Sequence, residues 1–263
     1  MTRTLDTGTT ELTAEVGDDG VGVITMNRPE RRNAMTGPML AGLASALRDF
    51  ETASDVRCVV LTGAGGAFCA GGDVKGFAEG DGAGGGAESW DVGVHEQRLS
   101  HRATSGVLFN MPKPTVAVLP GPAAGAGLSL ALACDLRLAA DTAVITTAFA
   151  RVGLAGDYGG TWFLTRLVGP SKAKELYFRS PRLTSAEALS LGLVNDVLPD
   201  EGFEQAALDW CHQIAARPPI ALRYIKENIN RAVTADLFTL LDLESTHHRH
   251  TGTTEDHKEA SRA

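Results

Sequence analysis

The chain has 263 residues, of which 43% are hydrophobic and 21% are charged, and its formal net charge is −8. This composition is typical of a folded globular protein and excludes a disordered chain or a coiled coil. An acidic balance with no cluster of Lys and Arg argues against a nucleic-acid-binding surface. The apolar runs are far shorter than the roughly 18 residues that span a bilayer, and the N-terminus lacks the apolar core of a signal peptide. We therefore expect a cytoplasmic protein without a membrane segment.

The first predicted elements are a hairpin, a helix and a buried strand. Residues 11–16 and 21–26 are predicted as strands on either side of the turn Asp18-Asp19-Gly20. Thr36 is placed as the N-cap of a helix whose apolar residues recur at helical spacing. The apolar run 58–61 then has the character of a strand that is buried on both faces.

Two glycine-rich loops follow buried strands and lead towards helices. Eleven of the thirty glycines lie in residues 63–86, of which 80–86 are predicted as a mobile loop because they offer no apolar anchors. The second loop, 121–127, follows the predicted strand 115–119. Small residues let a ligand approach the backbone, and free N–H groups at a helix start attract negative charge. Two such loops could supply one N–H each to a shared oxygen, as in an oxyanion hole.

The remaining pattern is mostly helical towards the C-terminus. Thr184 and Glu187 form a capping box at a helix start. The other predicted helices are 89–110, 128–134, 203–216, 220–233 and 237–250, and the other predicted strands are 136–139, 144–147 and 194–198. No segment has the composition of an interdomain linker, so the pattern predicts one α/β domain with a helical C-terminal extension.

Cysteines and histidines give no sign of a metal site or of a disulfide framework. Cys58, Cys69, Cys134 and Cys211 are unevenly spaced and form no Cys-x-x-Cys pair. The run His247-His248-Arg249-His250 is interpreted as a solvated helix face, because no acid or cysteine partner recurs at ligand spacing. We therefore expect no metal.

Several motifs occur in an order that is typical of one protein superfamily. They are Asn27-Arg28-Pro29-Glu30-Arg31-Arg32-Asn33-Ala34-Met35, Phe68-Cys69-Ala70-Gly71-Gly72-Asp73-Val74-Lys75, residues 114–135 and Gly159-Gly160-Thr161. On these motifs the chain resembles crotonase-fold proteins of the enoyl-CoA hydratase/isomerase superfamily. The resemblance implies a spiral of strand–strand–helix turns over residues 1–200 and, in the same unit, a helical trimerisation region over residues 201–263. It also implies acyl-CoA substrates that bring coenzyme A with them, no separate cofactor, and homo-oligomers that are trimers or hexamers.

Carried over residue by residue, the resemblance assigns the backbone N–H groups of Gly72 and Ala126 to the thioester oxygen. An enolate beside a thioester carries its charge on that oxygen, so two fixed donors stabilise the transition state more than the neutral substrate. The residues implied in binding the substrate and its coenzyme A part are Arg31, Ala70, Gly72, Asp73, Val74, Lys75, Gly121 and Ala126.

The carboxylates are where the chain departs from typical hydratases. Those enzymes carry two glutamates that handle water, and this chain has Ser129 and Phe149 at the matching positions. Asp157 remains, in a segment that resembles dienoyl-CoA isomerases, whose aspartate at this place faces the acyl chain. Partial desolvation would raise the pKa of this carboxyl towards the range that is useful for proton transfer. The simpler alternative is that Asp157 caps a helix that starts near Gly160.

The sequence therefore favours an acyl-CoA enzyme that isomerises a double bond or a ring with Asp157 as the acid–base group. A hydratase with a variant mechanism and an acyl-CoA-binding protein without catalysis stay open as alternatives. Weaker candidates for the acid–base group are Asp91, His95 and Glu96, for which a solvated helix face is the simpler interpretation.

Two other enzyme classes fit the glycine-rich loops less well. A dinucleotide-binding enzyme would need G-x-G-x-x-G, and Phe68 occupies the third glycine position of the series that begins at Gly63. A serine hydrolase would need a strand directly before Ser129, and a glycine loop precedes it instead.

Overall fold

The computed structural model describes residues 2–73 and 90–262, and a seven-stranded sheet runs through its centre. In chain order the strands are β1 (Arg3–Leu5), β2 (Leu12–Val16), β3 (Val21–Met26), β4 (Cys58–Gly63), β5 (Thr115–Leu119), β6 (Ala123–Ala124), β7 (Leu136–Ala140), β8 (Val144–Thr146), β9 (Leu183–Thr184) and β10 (Asp196–Leu198). The helices are α1 (Gly37–Thr52), α2 (Trp90–Ala103), α3 (Ser105–Asn110), α4 (Ala126–Ala133), α5 (Gly160–Arg179), α6 (Ser185–Ser190), α7 (Phe203–Ala215), α8 (Pro219–Ala232), α9 (Leu237–Thr251) and α10 (Glu255–Ala260).

The large sheet has the order β1-β2-β3-β4-β5-β7-β10, and β6, β8 and β9 form a small second sheet. In the large sheet β1, β2 and β3 pair antiparallel, and the pairs from β3 to β10 are parallel. β5 is buried at every position and β4 at all but one, which is the pattern of parallel strands covered on both faces. Because neighbouring parallel strands end at the same edge, the loops after β4 and β5 begin side by side.

Helix starts follow the predicted capping chemistry. The Oγ1 atom of Thr36 accepts the backbone N–H of Met39 at 3.2 Å, as expected for the N-cap of α1. Thr184 and Glu187 form the reciprocal capping box of α6. Both predicted caps are confirmed.

Two predicted helices differ in the structure. The helix predicted over 89–110 is interrupted, because Thr104 (φ −116°, ψ −88°) separates α2 from α3 and its hydroxyl donates to the carbonyl of Ser100 at 2.7 Å. Such side-chain bonds to the backbone compete with the helical pattern. Residue 89 lies outside the described residues, so α2 is described only from Trp90. α4 starts at Ala126, two residues earlier than predicted, directly after Gly125 with its positive φ of 52°.

The C-terminal helices divide into a packed and an exposed group. α7 contributes Phe203, Ala207 and Cys211 to the core beside the sheet, whereas Ile229 on α8 is 62% exposed and Phe238 on α9 is 76% exposed. The division at residue 200 and the trimerisation role stay predictions. None of the helices in residues 2–73 and 90–262 has the length and apolar character that crossing a bilayer requires.

The histidine run and the cysteines are only partly as expected. His247 is buried, its Nδ1 lies 2.6 Å from Asn228 Oδ1, and its ring stacks on Tyr224 with centroids 4.0 Å apart. The solvated-face prediction is therefore wrong for this residue, because α9 turns it towards α8. The four cysteines are free and buried. Among the described residues, no three His, Cys, Asp or Glu side chains group as a metal site would require.

Candidate active site

The structure brings the two glycine-rich loops into contact. Cys69 accepts the backbone N–H of Ala124 at 2.9 Å and donates its own N–H to Pro122 at 3.2 Å, so the loops pair like two short parallel strands. Gly127 lies against this pairing, and a Cβ there would come within 2.6 Å of the Cβ of Cys69. Only glycine fits this approach without a shift of the backbone.

The peptide unit between Gly71 and Gly72 is fixed through its carbonyl. The oxygen of Gly71 accepts the N–H of Met35 at 2.8 Å, and Met35 in turn accepts the N–H of Asp73 at 3.2 Å. In a trans peptide the carbonyl and the next N–H point in opposite directions. The N–H of Gly72 therefore points away from Met35, and it has no hydrogen-bond acceptor among the described residues.

Ala126 supplies a second free N–H next to the first. It is the first residue of α4, where a backbone N–H has no partner within the helix. A Cβ built on Gly71 would lie 3.6 Å from this nitrogen, which shows how closely the first loop approaches the start of α4. The carbonyl of Gly125, in the same peptide unit, accepts the N–H of Ser129 at 3.0 Å. The two predicted donors are thus brought together with their N–H groups available.

Asp157 carries a buried carboxylate oxygen without a partner. Its Oδ1 atom has no hydrogen-bond partner in the described part of the chain, and burial raises the pKa of the carboxyl to about 6. Gly159 is the N-cap of α5, and no side chain caps that helix. The capping alternative for Asp157 is therefore wrong. The next residue, Tyr158, has a positive φ of 48°, which is a strained conformation for a tyrosine.

Asp157 lies within electrostatic reach of the first glycine loop. Burial raises the pKa of the Cys69 thiol to about 12, and the charge of Asp157 raises it further. Tyr158 and Tyr177 have their pKa raised to about 12 as well, first by burial and then by the same carboxylate. The charge of Asp157 is therefore felt by Cys69 in the first glycine-rich loop and by both tyrosines.

No carboxylate stands at the two positions that glutamates occupy in typical hydratases. Ser129 and Phe149 are both buried. The ring of Phe149 stacks on that of Tyr177, with centroids 6.0 Å apart and planes 8° from parallel. A Cβ built on Gly160 would collide with the Oγ of Ser129 and lie 2.8 Å from the hydroxyl oxygen of Tyr177, so both hydroxyls face this glycine. These positions therefore form an aromatic and hydroxyl wall that holds no group able to act as a carboxylate base.

α2 contributes a residue that sequence reasoning missed. The predicted candidates Asp91, His95 and Glu96 are exposed on this helix, whereas the ring of His101 packs on that of Tyr158 with centroids 4.2 Å apart. Burial lowers the pKa of His101, and its Nε2 atom has no partner in the part of the chain that the structure describes. Nothing in the local sequence separates His101 from the neighbouring polar residues of α2.

The predicted coenzyme A residues that the structure describes differ in their exposure. Arg31 and Ala70 are exposed, Gly121 is buried against the first loop, and Asp73 pairs with Arg28 at 3.3 Å. Val74, Lys75 and the predicted mobile loop 80–86 lie outside the described residues.

Arg28 is a second residue that sequence reasoning missed. Its guanidinium donates to the carbonyl of Ala34 at 2.7 Å as well as facing Asp73, and it lies 3.3 Å from Glu11. It therefore ties the segment that follows Gly72 to β2 and to the turn before α1. The Asn-Arg-Pro motif marks its position in the sequence, but not the partner 45 residues away.

Comparisons with known proteins find a matching family model and similar proteins. The family model described as Enoyl-CoA hydratase/isomerase matches residues 17–263. A protein of Escherichia coli (strain K12), named 1,2-epoxyphenylacetyl-CoA isomerase, is 37% identical over 242 residues, which cover 92% of this chain and 90% of that protein. A crystal structure of an enoyl-CoA hydratase from Polaromonas sp. JS666 is similar with a TM-score of 0.87 at 33% identity, covering 96% of this chain and 95% of that one. An enoyl-CoA hydratase from Bacillus anthracis gives 0.87 at 31% identity, covering 97% and 95%.

Proposed function

Because the chain belongs to the enoyl-CoA hydratase/isomerase family, we propose that it is an acyl-CoA isomerase that uses Asp157 as its acid–base group. The family membership makes it an enzyme that acts on acyl-CoA thioesters, within a crotonase fold. The choice of isomerisation over hydration depends on one observation. Asp157 has one buried carboxylate oxygen and lies within electrostatic reach of Cys69 in the first glycine-rich loop, while Ser129 and Phe149 stand at the positions of the two glutamates.

The proposed reaction moves a proton along the acyl chain. The carboxylate of Asp157 removes a proton from a carbon of the acyl group, and the electrons of that C–H bond form the C=C bond of an enolate. The negative charge passes to the thioester oxygen, which receives hydrogen bonds from the N–H groups of Gly72 and Ala126. Asp157 then returns the proton to a different carbon, which shifts the double bond and restores the carboxylate.

The acidity of Asp157 suits both halves of this reaction. With its pKa raised to about 6 by burial, the group is mostly ionised at neutral pH and can accept a proton. The same shift makes it a stronger base than an exposed aspartate, because burial disfavours the charged form. Among the described residues its Oδ1 atom has no hydrogen-bond partner, so no neighbouring donor competes for the proton that this oxygen would accept.

Ring-bearing acyl groups are the first substrates to consider. The Escherichia coli relative is named an isomerase of 1,2-epoxyphenylacetyl-CoA, which carries such a ring. The aromatic wall of Phe149 and Tyr177, together with Tyr158, supports a pocket that accepts flat apolar groups.

A panel of acyl-CoAs in deuterated water tests the proposal. Linear enoyl-CoAs and ring-bearing acyl-CoAs are compared side by side by mass spectrometry. We expect isomers of the substrate in which hydrogen has been replaced by deuterium through exchange at Asp157, without the addition of water. Products that have gained a water molecule would show a hydratase with a variant mechanism. Tight binding without any product or exchange would show an acyl-CoA-binding protein, and either result would overturn the proposal.

A further inference from the structure

We propose that Ser129 and Tyr177 are positioning residues whose hydroxyls hold the Gly125–Ala126 peptide in the orientation that presents the Ala126 N–H. The inference deepens the proposed function and rests on the assignment of Ala126 to the thioester oxygen. It assigns a role to Ser129, which stands at a position where typical hydratases carry a glutamate.

The geometry of one peptide unit carries the argument. The carbonyl of Gly125 and the N–H of Ala126 belong to the same planar trans peptide and point in opposite directions. That carbonyl accepts two hydrogen bonds from Ser129, one from its backbone N–H at 3.0 Å and one from its Oγ at 3.3 Å. Fixing the carbonyl therefore fixes the direction in which the N–H of Ala126 points.

This peptide needs support because its first residue is conformationally free. Gly125 adopts φ 52° and ψ −126°, a conformation that lies outside the regions usual for residues with a side chain. A glycine can leave such a conformation at little cost, and a rotation of the peptide plane would turn the donor away from the substrate oxygen. Oxyanion stabilisation depends on donors whose direction is fixed before the charge appears.

Tyr177 extends the support from α5 to Ser129. Both hydroxyls face Gly160, because a Cβ there would come 2.8 Å from the Tyr177 hydroxyl and would collide with Ser129 Oγ. Phe149 stacks on the ring of Tyr177 and lies 3.9 Å from the place where a Gly125 Cβ would stand. The two hydroxyls thus lie between α4 and α5, beside the ring of Phe149.

A serine in a helix often bonds the carbonyl four residues earlier, so the bond by itself signifies little. Ser245 makes the same bond to Leu241 at 2.7 Å on α9, outside the site. What distinguishes Ser129 is that the accepting carbonyl shares its peptide with a proposed catalytic donor, and that the hydroxyl of Tyr177 faces the same glycine as the hydroxyl of Ser129.

The test uses the full-length enzyme and a ligand that does not react. Hexanoyl-CoA labelled with ¹³C at the thioester carbonyl is bound to the wild type and to Ser129→Ala, Tyr177→Phe and the double variant. Infrared spectroscopy then reports the carbonyl frequency, which falls as hydrogen bonds to the oxygen strengthen. We expect the downshift of the carbonyl frequency to be smaller in both single variants than in the wild type. In the double variant the loss should be less than the sum of the two single losses, because both side chains act through one carbonyl.

The kinetic readout is a split between kcat and KM. We expect kcat of the acyl-CoA reaction to fall by about fivefold in each single variant with KM little changed, which is the effect of one hydrogen bond expressed mainly in the transition state. Ser245→Ala and Tyr224→Phe are the matched controls and should change neither readout. Melting temperatures accompany each measurement and identify any variant that is merely less stable.

Two outcomes decide the inference separately from the proposed reaction. An unchanged carbonyl frequency in folded Ser129→Ala and Tyr177→Phe would overturn the positioning role. Asp157→Asn should keep the wild-type frequency even though it removes the proposed base, so failure of the isomerase proposal leaves this spectroscopic result intact.

Discussion

The carboxyl of Asp157 stands in surroundings that favour its neutral form. An unpartnered buried oxygen and a strained neighbour, Tyr158 with φ 48°, both oppose stability. Backbone outliers of this kind are concentrated at functional sites, where the surrounding structure holds them in place. At the scale of single residues, the site is therefore destabilised by features that keep one carboxylate poorly solvated and able to react.

Removing the acid–base group gives the first prediction. Asp157→Asn keeps the shape of the side chain but cannot take up a proton. Turnover should fall by roughly 10²–10⁴-fold, while the affinity for acyl-CoA changes little because the donors at Gly72 and Ala126 remain. Steady-state kinetics and equilibrium binding measure the two effects, and Asp209→Asn on the exposed face of α7 serves as control. Near-normal turnover would remove Asp157 from the mechanism.

The raised pKa also predicts how stability depends on pH. A carboxyl whose pKa is about 6 when folded and lower when unfolded stabilises the protein most at low pH, where it is protonated in both states. That contribution is lost as pH rises through 6. Asn cannot ionise, so the melting temperature of Asp157→Asn, relative to that of the wild type, should rise between pH 4 and pH 8. A difference independent of pH would contradict the assigned pKa.

At the scale of elements, each free N–H is presented by a loop whose carbonyl is held elsewhere. The first loop is held by Met35, and the second is held by the first turn of α4. Arg28 adds a tie from β2 to the segment after Gly72. The donors can therefore stay directed at a ligand without a side chain of their own.

The donor at Gly72 is testable because proline lacks the N–H. Gly72→Pro should lower turnover by about two orders of magnitude or more, in line with the roughly 2.7–4 kcal/mol that one oxyanion donor contributes. Gly72→Ala keeps the donor, and Gly72 is not among the residues with positive φ, so this variant is the matched control. Equal turnover in both folded variants would show that the N–H has no part in the reaction.

Local chemistry predicted the elements better than their ends. The apolar runs of β3, β4 and β5 and the hydroxyl caps at Thr36 and Thr184 follow from neighbours in the sequence. The break at Thr104 did not, because a hydroxyl bond to the carbonyl four residues earlier also occurs within unbroken helices, as at Ser245.

The parts of the candidate site that could be predicted are the two glycine-rich loops and Asp157. The glycine loops and Asp157 are visible in the sequence, since small residues and a missing glutamate pair are local facts. Tyr177 and His101 were missed because they reach the site from the last turn of one helix and the last turn of another. Their roles depend on how α5 and α2 pack, which no short window of sequence encodes.

At the scale of the whole molecule, the exposed apolar residues of the C-terminal helices favour assembly. Ile225, Ile229 and Phe238 are each at least half exposed on α8 and α9, more than a monomer usually leaves to water. Together with the resemblance in sequence, this supports the predicted trimer or hexamer.

Assembly gives a prediction that light scattering can check. The wild type should show the mass of three or six chains of 27.6 kDa. Ile229→Glu should shift the protein towards smaller species, because a buried unpaired charge at an interface is costly. Arg231→Gln on the same helix should leave the mass unchanged. A wild type that stays monomeric at all concentrations would contradict the prediction.

Because Cys69 is buried between the two glycine-rich loops, the reactivity of its thiol reports the separation of these loops. The thiol has no exposed surface and its pKa is raised to about 12, so a thiol reagent can react only when the loops separate. Cys134 is equally buried with a similar pKa, but it lies at the far end of α4. Labelling resolved by peptide mass should therefore slow at Cys69 when acyl-CoA binds, and much less at Cys134. Equal protection of both thiols would mean that the loops part only when the whole molecule unfolds.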